Sequence, residues 1–283
     1  MRIKNICCEW SADFFGPRMM EKYNLSRYDK DKHKDEPVVF FGCYGRLTKA
    51  WIMNHRGLVV IVWSGSDSLR LHEDTVFVRH VKDRPDRIFN IAHSHWIQKD
   101  LDHWGLPYID RVVLPADLSR FKFEPGGSKV YHYGSKQREW YYGTTIMKKI
   151  RDKWSGNIRY PEVVIAGHNA YNQDELYQIY KDSFIGVRLT EHDNMALSCI
   201  EMGLMGRRSI FNGNIPCAIS YGSQYLTYDT DVRKRWVYQN DTLQGKVEKM
   251  ILEADREPDK LLAEEMREFV YDDEAWLYTK YYE

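Results

Sequence analysis

Short apolar segments that alternate with amphipathic segments are the feature that most restricts the fold of this chain. Residues 38–42 and 57–63 are runs rich in Val, Ile and Phe, and each is long enough for one strand. Residues 46–55 lie between these runs and have the length and spacing of a helix. Strands that are apolar along their whole length are typical of parallel sheets, which helices cover on both faces. The alternation therefore predicts an α/β fold with parallel strands.

The same alternation restarts in the second half of the chain. Residues 124–128 read Glu-Pro-Gly-Gly-Ser and form the best linker candidate. The sequence thus predicts two Rossmann-like domains, residues 1–124 and residues 129–283, the second ending in a helical tail. Strands are expected at residues 38–42, 57–63, 74–81, 87–92, 129–133, 162–166, 183–187 and 208–211, and a further strand is expected to begin at residue 111 and lead into an extended segment that reaches residue 121. Ligands of open parallel sheets bind at the carboxyl ends of the strands, so the turns after these strands are the expected site.

Composition and charge narrow the class of protein. The formal net charge is zero, with 41 basic and 41 acidic residues, so nucleic acid is not expected as a partner, although a local basic groove stays open. The five cysteines show no CxxC spacing, which favours a reducing compartment. No apolar run approaches the roughly 20 residues of a membrane span, and the N-terminus lacks a signal-peptide core. We therefore expect a cytoplasmic protein with no transmembrane segment.

The most informative segment is residues 187–206, where a strand leads into a helix. Its polar turn holds Asp193 and Asn194, either of which is expected to cap the helix and leave N–H groups for an anion. Seven residues separate Asp193 from Glu201, about 10 to 12 Å along a helix at ~1.5 Å per residue. That length suits one acid at each end of a nucleotide sugar, with the helix N-terminus facing the phosphates.

This segment resembles the acid-x7-acid motif of the family-four (group 1) glycosyltransferases of the GT-B type. Asp193 stands in place of the usual first Glu, Glu201 in place of the second, and the following Met-Gly-Leu-Met-Gly resembles the end of the family's helix. The resemblance implies two Rossmann-like α/β/α domains facing across a cleft, with the acceptor on the N-terminal side and the nucleotide sugar on the C-terminal side. Asp193 would bind donor-sugar hydroxyls and Glu201 the ribose.

The resemblance extends to further site residues. Residues 131–138 lie where the family places a Gly turn and a cation pair on the donor diphosphate, which makes Lys136 and Arg138 the candidates. Asp67, at the end of Trp-Ser-Gly-Ser-Asp, resembles the strand end that faces the sugar, and it is a candidate base in an inverting scheme. The predicted catalytic residues are therefore Asp193, Lys136, Arg138 and Asp67. The predicted donor-binding residues are Gly134, Arg188, Thr190, His192, Asn194, Met195 and Glu201.

The predicted function is transfer of a sugar from a nucleotide-diphosphate sugar to a hydroxyl acceptor, whether a glycan, a lipid-linked group or another. The resemblance implies a retaining reaction in which fixed cations replace a metal, with no cofactor beyond the donor. Three alternatives stay open: a nucleotide-sugar epimerase, a non-catalytic nucleotide-sugar-binding protein, and a DNA-base glycosylating enzyme. The last would need a basic groove, for which Arg207, Arg208 and residues 233–235 are candidates. His93, His95 and His103 are candidate metal ligands, but their spacing does not place them together on a helix, so no metal site is predicted.

Overall fold

The computed structural model describes residues 1–8, 15–65, 67–114, 118–134, 139, 141–166, 171–190, 193, 196–222 and 240–283. The chain divides into two compact units. Unit 1 comprises Met1–Leu118, His192–Met195 and Val270–Glu283, and unit 2 comprises Ser119–Glu191 and Ala196–Phe269. The last residues of the chain thus belong to unit 1, whereas the sequence interpretation had assigned residues 129–283 to the second domain.

Unit 1 is built on a six-stranded parallel sheet. Its strands are β1 (Asn5–Cys8), β2 (Ser26–Arg27), β3 (Val38–Phe41), β4 (Val59–Val62), β5 (Ile88–Ile91) and β6 (Tyr108–Ile109), in the order β2-β1-β3-β4-β5-β6. The helices are α1 (Gly16–Tyr23), α2 (Arg46–Asn54), α3 (Thr75–Lys82) and α4 (His95–Trp104). Alternate residues of β3 enter two different cores, Val38 and Phe40 in one and Val39 and Phe41 in the other. Both faces of the sheet are therefore buried, as the apolar strands predicted.

Two predicted strands of unit 1 are wrong. Residues 111–114 form no strand, and the last strand of the sheet, β6, ends before them at Ile109. Residues 74–81 were predicted as a strand, but Thr75–Lys82 form helix α3. The Asp74 side chain accepts a hydrogen bond from the Phe77 N–H and so caps the helix. Phe77, Val78 and Val81 are the buried residues, and this spacing of i, i+1 and i+4 lies on one helix face, whereas the strand prediction followed the apolar run of residues 76–78.

Unit 2 contains a five-stranded parallel sheet and five helices among its described residues. Strands β7 (Lys129–Tyr133), β8 (Val163–Ala166), β9 (Ser183–Val187), β10 (Arg208–Ile210) and β11 (Ala218–Ile219) follow the order β11-β10-β9-β7-β8. The helices are α5 (Thr144–Trp154), α6 (Gln173–Lys181), α7 (Leu197–Leu204), α8 (Asn240–Glu253) and α9 (Lys260–Phe269). The predicted α/β class and parallel strands are confirmed. The described residues contain no helix that is long and apolar enough to cross a membrane.

The C-terminal segment of the chain packs on the start of unit 1. Trp276 and Leu277 are fully buried in the same core as Ile3, and the Ile3 N–H donates to the Leu277 carbonyl at 2.6 Å. The Tyr23 hydroxyl donates to the Asp272 carboxylate at 2.8 Å, and its ring packs edge-on against Trp276. Burial of a Trp and a Leu is worth several kcal/mol, so this segment is an integral part of unit 1 (about 1.5–3 kcal/mol for each large side chain).

Candidate functional site

The carboxyl ends of neighbouring strands in unit 2 bring together residues that are far apart in the sequence. Strands β7 and β9 are adjacent and parallel, with His132 paired to Val187. Tyr133 at the end of β7 and Arg188 after β9 therefore lie on the same edge of the sheet. Helix α7 begins at Leu197, shortly after β9, and its residues are buried along its whole length. This is the edge at which the sequence predicted the donor site.

Arg188 is held between two tyrosine rings at this edge. Its guanidinium carbon lies 4.4 Å from the centroid of the Tyr133 ring and 5.0 Å from that of Tyr142. The two rings contact each other edge-on at 4.8 Å. A cation on an aromatic face is stabilised by about 0.5–2 kcal/mol, and a planar guanidinium on two rings keeps few orientations. The predicted donor-binding cation is thus preorganised by two aromatic side chains that the sequence interpretation did not include.

His132 joins three elements directly beneath this edge. Its imidazole is fully buried, with Nδ1 3.0 Å from the Val187 carbonyl and Nε2 3.1 Å from the Thr144 hydroxyl. A carbonyl can only accept, so Nδ1 carries the proton and Nε2 accepts from Thr144. Burial and the nearby Arg188 charge lower the pKa of His132 to about 3. The neutral ring therefore ties β7 to the end of β9 and to the first residue of α5.

The N-cap residue of α7 is Ala196, whose methyl side chain cannot accept a hydrogen bond from the helix N–H groups. The expectation that Asp193 caps the helix is therefore wrong, because the helix begins four residues later. The Thr190 and Ser198 hydroxyls are buried near this end and have no hydrogen-bond partner within the described part of the chain. Uncapped helix N–H groups carry partial positive charge and bind anions.

Glu201 is the fifth residue of α7 and lies in the interior of unit 2. Its side chain is 2% exposed, and Oε2 accepts a hydrogen bond from the Tyr180 hydroxyl at 2.8 Å. Because α7 begins at Leu197, Glu201 lies only about one turn from the helix start. The prediction that Asp193 and Glu201 lie about two turns apart along one helix axis is therefore wrong. Asp193 lies before the helix, and its carbonyl accepts a hydrogen bond from the Ser94 hydroxyl at 2.6 Å within unit 1.

Asp67 occupies a turn at the carboxyl edge of the unit 1 sheet. Its fully buried carboxylate accepts hydrogen bonds from four backbone N–H groups, those of Cys43, Ser64, Gly65 and Ser68, at 2.9–3.2 Å. Burial raises the pKa of Asp67, and the backbone donors oppose that rise. A carboxylate with this many internal donors fixes the turn and joins it to the end of β3. The predicted role of Asp67 as a general base does not agree with this geometry, which gives the side chain a structural function.

Three solved structures show what this chain is similar to. Sucrose-phosphate synthase from Thermosynechococcus elongatus matches over 91% of this chain and 72% of its own, with 10% identity and a TM-score of 0.50. The pneumococcal O-GlcNAc transferase GtfA, in complex with UDP and GlcNAc, matches over 92% and 57%, with 12% identity and a TM-score of 0.49. TarM matches over 85% and 54%, with 13% identity and a TM-score of 0.42. The chain spans 54% of the length of TarM and 72% of that of the synthase.

The fold is that of the GT-B glycosyltransferases. This confirms the fold that the sequence resemblance implied, from the match to the synthase and the two parallel sheets. No protein-family model matches the chain, and no curated protein sequence matches it either. At 10% identity the similarity to the synthase supports the fold and nothing further about this chain.

Several predicted site residues of this GT-B chain lie outside the described residues. These are Lys136, Arg138, His192, Asn194 and Met195. Gly134 is described, and its N–H donates to the Ala166 carbonyl at 3.1 Å. A Cβ at this position would lie 2.6 Å from the Ile165 side chain, so close packing against β8 excludes a larger residue. Gly134 therefore packs directly against β8 at the end of β7.

The basic residues considered for a DNA groove do not form one in the described part of the chain. Arg207 is 1% exposed, and its guanidinium donates to four backbone carbonyls, those of Gly126, Lys181, Ser183 and Met205. Arg208 lies 3.8 Å from the Asp259 carboxylate, and residues 233–235 lie outside the described residues. The expectation that Arg207 contributes to a nucleic-acid surface is wrong, because its buried guanidinium binds backbone carbonyls instead.

The histidines weighed as metal ligands have other partners. His93 Nδ1 lies 2.8 Å from the Asp110 carboxylate, and the ring of His95 packs on Trp96. Across the part of the chain that the structure describes, no three His, Cys, Asp or Glu side chains form a cluster that could hold a metal ion.

The site also contains residues that the sequence interpretation missed. Tyr133, Tyr142, His132 and Tyr180 all act through a second side chain, so no motif spacing reveals them. The run of aromatic residues around residues 131–142 is the signal that was present in the sequence. It could have indicated stacking on a neighbouring cation, but not which cation.

Proposed function

We propose that this chain is a glycosyltransferase that moves a sugar from a nucleotide-diphosphate sugar to a hydroxyl acceptor. The observation that carries the proposal is the set of hydrogen-bond donors at the carboxyl edge of the unit 2 sheet. Arg188 is held on two tyrosine rings there, and the N-cap residue of α7 is Ala196, which offers the helix N–H groups no side-chain acceptor. The hydroxyls of Thr190 and Ser198, which find no hydrogen-bond partner among the residues that the structure describes, add two donors. A cation, helix N–H groups and hydroxyls together suit a diphosphate.

The proposed chemistry is stabilisation of the leaving diphosphate. When the glycosidic bond breaks, negative charge grows on the diphosphate, and fixed donors in a water-poor site lower that barrier. Arg188 and the first N–H groups of α7 would supply this stabilisation. Lys136 and Arg138 are proposed to add two more cations, by resemblance to the family-four enzymes. This arrangement supports a reaction without a metal, and the same resemblance supports retention of configuration at the anomeric carbon.

The two acids of the motif have separate proposed roles. Asp193 and its neighbouring backbone would bind hydroxyls of the donor sugar, and Glu201 would bind the ribose. Asn194, Met195 and His192 complete the proposed donor site. The acceptor is proposed to be a carbohydrate or another hydroxyl compound that unit 1 recognises. A cytoplasmic location is part of the same proposal, since a nucleotide sugar is a cytoplasmic metabolite of most cells.

The first experiment is a thermal-shift screen of nucleotide sugars, followed by an assay of nucleotide release with and without acceptors. A donor at 100 times its dissociation constant stabilises by about 2.7 kcal/mol, which a thermal shift detects. Arg188→Ala should lower kcat/KM for the donor at least about tenfold, since it removes a charge-assisted contact. Arg151→Ala is the matched control, because Arg151 is an exposed cation of the same unit that pairs with Asp152. Equal activity of these two variants would contradict the proposal.

The same assay separates the alternatives. A transferase releases the free nucleotide faster when its acceptor is present. An epimerase of the same fold would convert the donor sugar with no dependence on an acceptor. A binding protein would show a thermal shift with no turnover across the acceptor panel.

A further inference from the structure

We propose that Tyr180 is a positioning residue that sets the direction of the Glu201 carboxylate for nucleotide binding. This inference rests on the proposed function, since it assumes that Glu201 contacts the ribose. Tyr180 belongs to α6 and Glu201 to α7, so the hydrogen bond between them joins two helices of unit 2.

The hydrogen bond between Tyr180 and Glu201 is buried, and the Tyr180 hydroxyl is its donor. The Tyr180 side chain is fully buried, and its hydroxyl lies 2.8 Å from Glu201 Oε2. Burial raises the pKa of Tyr180 well above its ordinary value, with nearby Tyr131 and Glu201 adding to the rise. The hydroxyl therefore keeps its proton and donates to Glu201 Oε2. A hydrogen bond to a charged acceptor is stronger than one between neutral groups, so this donor holds the carboxylate firmly.

The Tyr180 ring is itself fixed by aromatic neighbours. The Tyr131 ring packs edge-on against it at 4.9 Å between centroids, and the Phe121 ring lies at 6.1 Å. A ring that cannot rotate holds its hydroxyl at one place. Rotation of the Glu201 carboxylate away from that hydroxyl would leave a buried charge with one donor fewer, which is costly. The hydroxyl thus selects one orientation of the carboxylate before a nucleotide arrives.

The same helix offers a matched control. Tyr177 lies one turn before Tyr180 on α6, and its hydroxyl donates to the Glu124 carboxylate, also at 2.8 Å. Glu124 belongs to the segment before β7 and not to the proposed donor site. Tyr177→Phe and Tyr180→Phe therefore remove the same atom and the same kind of bond from one helix. Only the second bond ends on a residue proposed to touch the nucleotide.

The experiment measures UDP affinity by calorimetry in the full chain, since UDP contains both a ribose and a diphosphate. Thermal stability is measured on each variant in parallel. We expect Tyr180→Phe to weaken UDP binding about tenfold, or about 1.4 kcal/mol, and to raise the donor KM more than it lowers kcat. Tyr177→Phe should leave UDP affinity within about twofold of wild type. A drop in melting temperature common to both variants would report only the lost hydrogen bond.

Glu201→Gln separates the failure of this inference from the failure of the proposed ribose contact. If Glu201→Gln weakens UDP binding but Tyr180→Phe does not, the ribose contact stands and Tyr180 has no positioning role. If Glu201→Gln and Tyr180→Phe both bind UDP with the affinity of wild type, the proposed contact between Glu201 and the ribose is wrong. If Tyr177→Phe weakens UDP binding as much as Tyr180→Phe, the effect comes from α6 as a whole and the inference is overturned.

Discussion

Acid should weaken the folded state of unit 2 through one buried side chain, His132. Its ring is fully buried and neutral, with one nitrogen donating to the Val187 carbonyl and the other accepting from Thr144. Burial, with a smaller contribution from Arg188, lowers the pKa of His132 to about 3 in the folded chain. The unfolded chain keeps the ordinary value of 6.5. A group whose folded pKa is depressed resists protonation in the folded state, so protons bind to the unfolded state first.

The sign and size of the effect follow from these two pKa values. The full contribution of His132 to stability is present above pH 6.5, and it is lost as the pH falls toward about 3. One pKa unit corresponds to about 1.36 kcal/mol, so at pH 5.0 the loss from this residue alone is about 2 kcal/mol. Below pH 3 the loss in the free energy of unfolding would reach roughly 5 kcal/mol, which is comparable to the total stability of many domains.

The assay is urea unfolding at pH 7.5 and pH 5.0, followed by circular dichroism. His132→Asn places an amide where Nδ1 stood and so retains a donor for Val187, but it cannot gain a proton. The variant should be less stable at pH 7.5, because it loses the Thr144 contact and leaves a small cavity. Its further loss between the two pH values should be about 2 kcal/mol smaller than that of wild type. His72→Gln, at an exposed histidine, should behave as wild type. Equal pH dependence of wild type and His132→Asn would refute the reasoning.

Three further predictions concern stability and use the same unfolding measurement. Arg207→Met removes the donor of four backbone carbonyls, two of them in buried hydrogen bonds, and should cost at least about 3 kcal/mol; a smaller loss would mean that water replaces the guanidinium. Gly143→Ala should cost clearly more than the control Gly156→Ala. Both glycines have positive φ values, but only at Gly143 would the new Cβ lie 2.5 Å from Leu189, so equal losses would exclude a steric clash. Asp67→Asn should lower the free energy of unfolding by about 2 kcal/mol, because the NH2 group of the new amide is a donor and cannot accept from the backbone N–H groups. Unchanged unfolding would show that the turn does not need the carboxylate.

Most of the unit 2 sheet could be predicted from the sequence. The predicted strands at 129–133 and 183–187 coincide with β7 and β9, because fully buried strands leave a continuous apolar run between polar turns. The prediction failed at 74–81, where a short apolar run resembles a strand although the buried residues lie on one helix face. The side chain of Asp74 stabilises the helix by capping it. An Asp directly before an amphipathic segment is the N-cap signal that this part of the sequence contains.

The candidate site was less predictable, because its function depends on which partners the side chains find. Arg188 could be predicted at the end of β9 from the strand pattern alone. That it lies on Tyr133 and Tyr142 depends on strand order, which places β7 beside β9 although some fifty residues separate them. Arg207 shows the opposite failure. Its basic side chain was considered for a surface groove, yet the fold turns it inward to bind carbonyls.

The two units treat the carboxyl ends of their strands in different ways, and this difference supports the location of the donor site. In unit 1 the backbone N–H groups at this edge converge on the chain's own Asp67 carboxylate. An anionic ligand there would compete with a carboxylate that is already fully bonded and buried. In unit 2 the N-cap residue of α7, Ala196, has no acceptor on its side chain, and Arg188 lies at the same edge of the sheet. Binding of an anion is therefore more favourable at the carboxyl edge of the unit 2 sheet than at that of the unit 1 sheet. We accordingly propose unit 2 as the unit that holds the diphosphate of the donor.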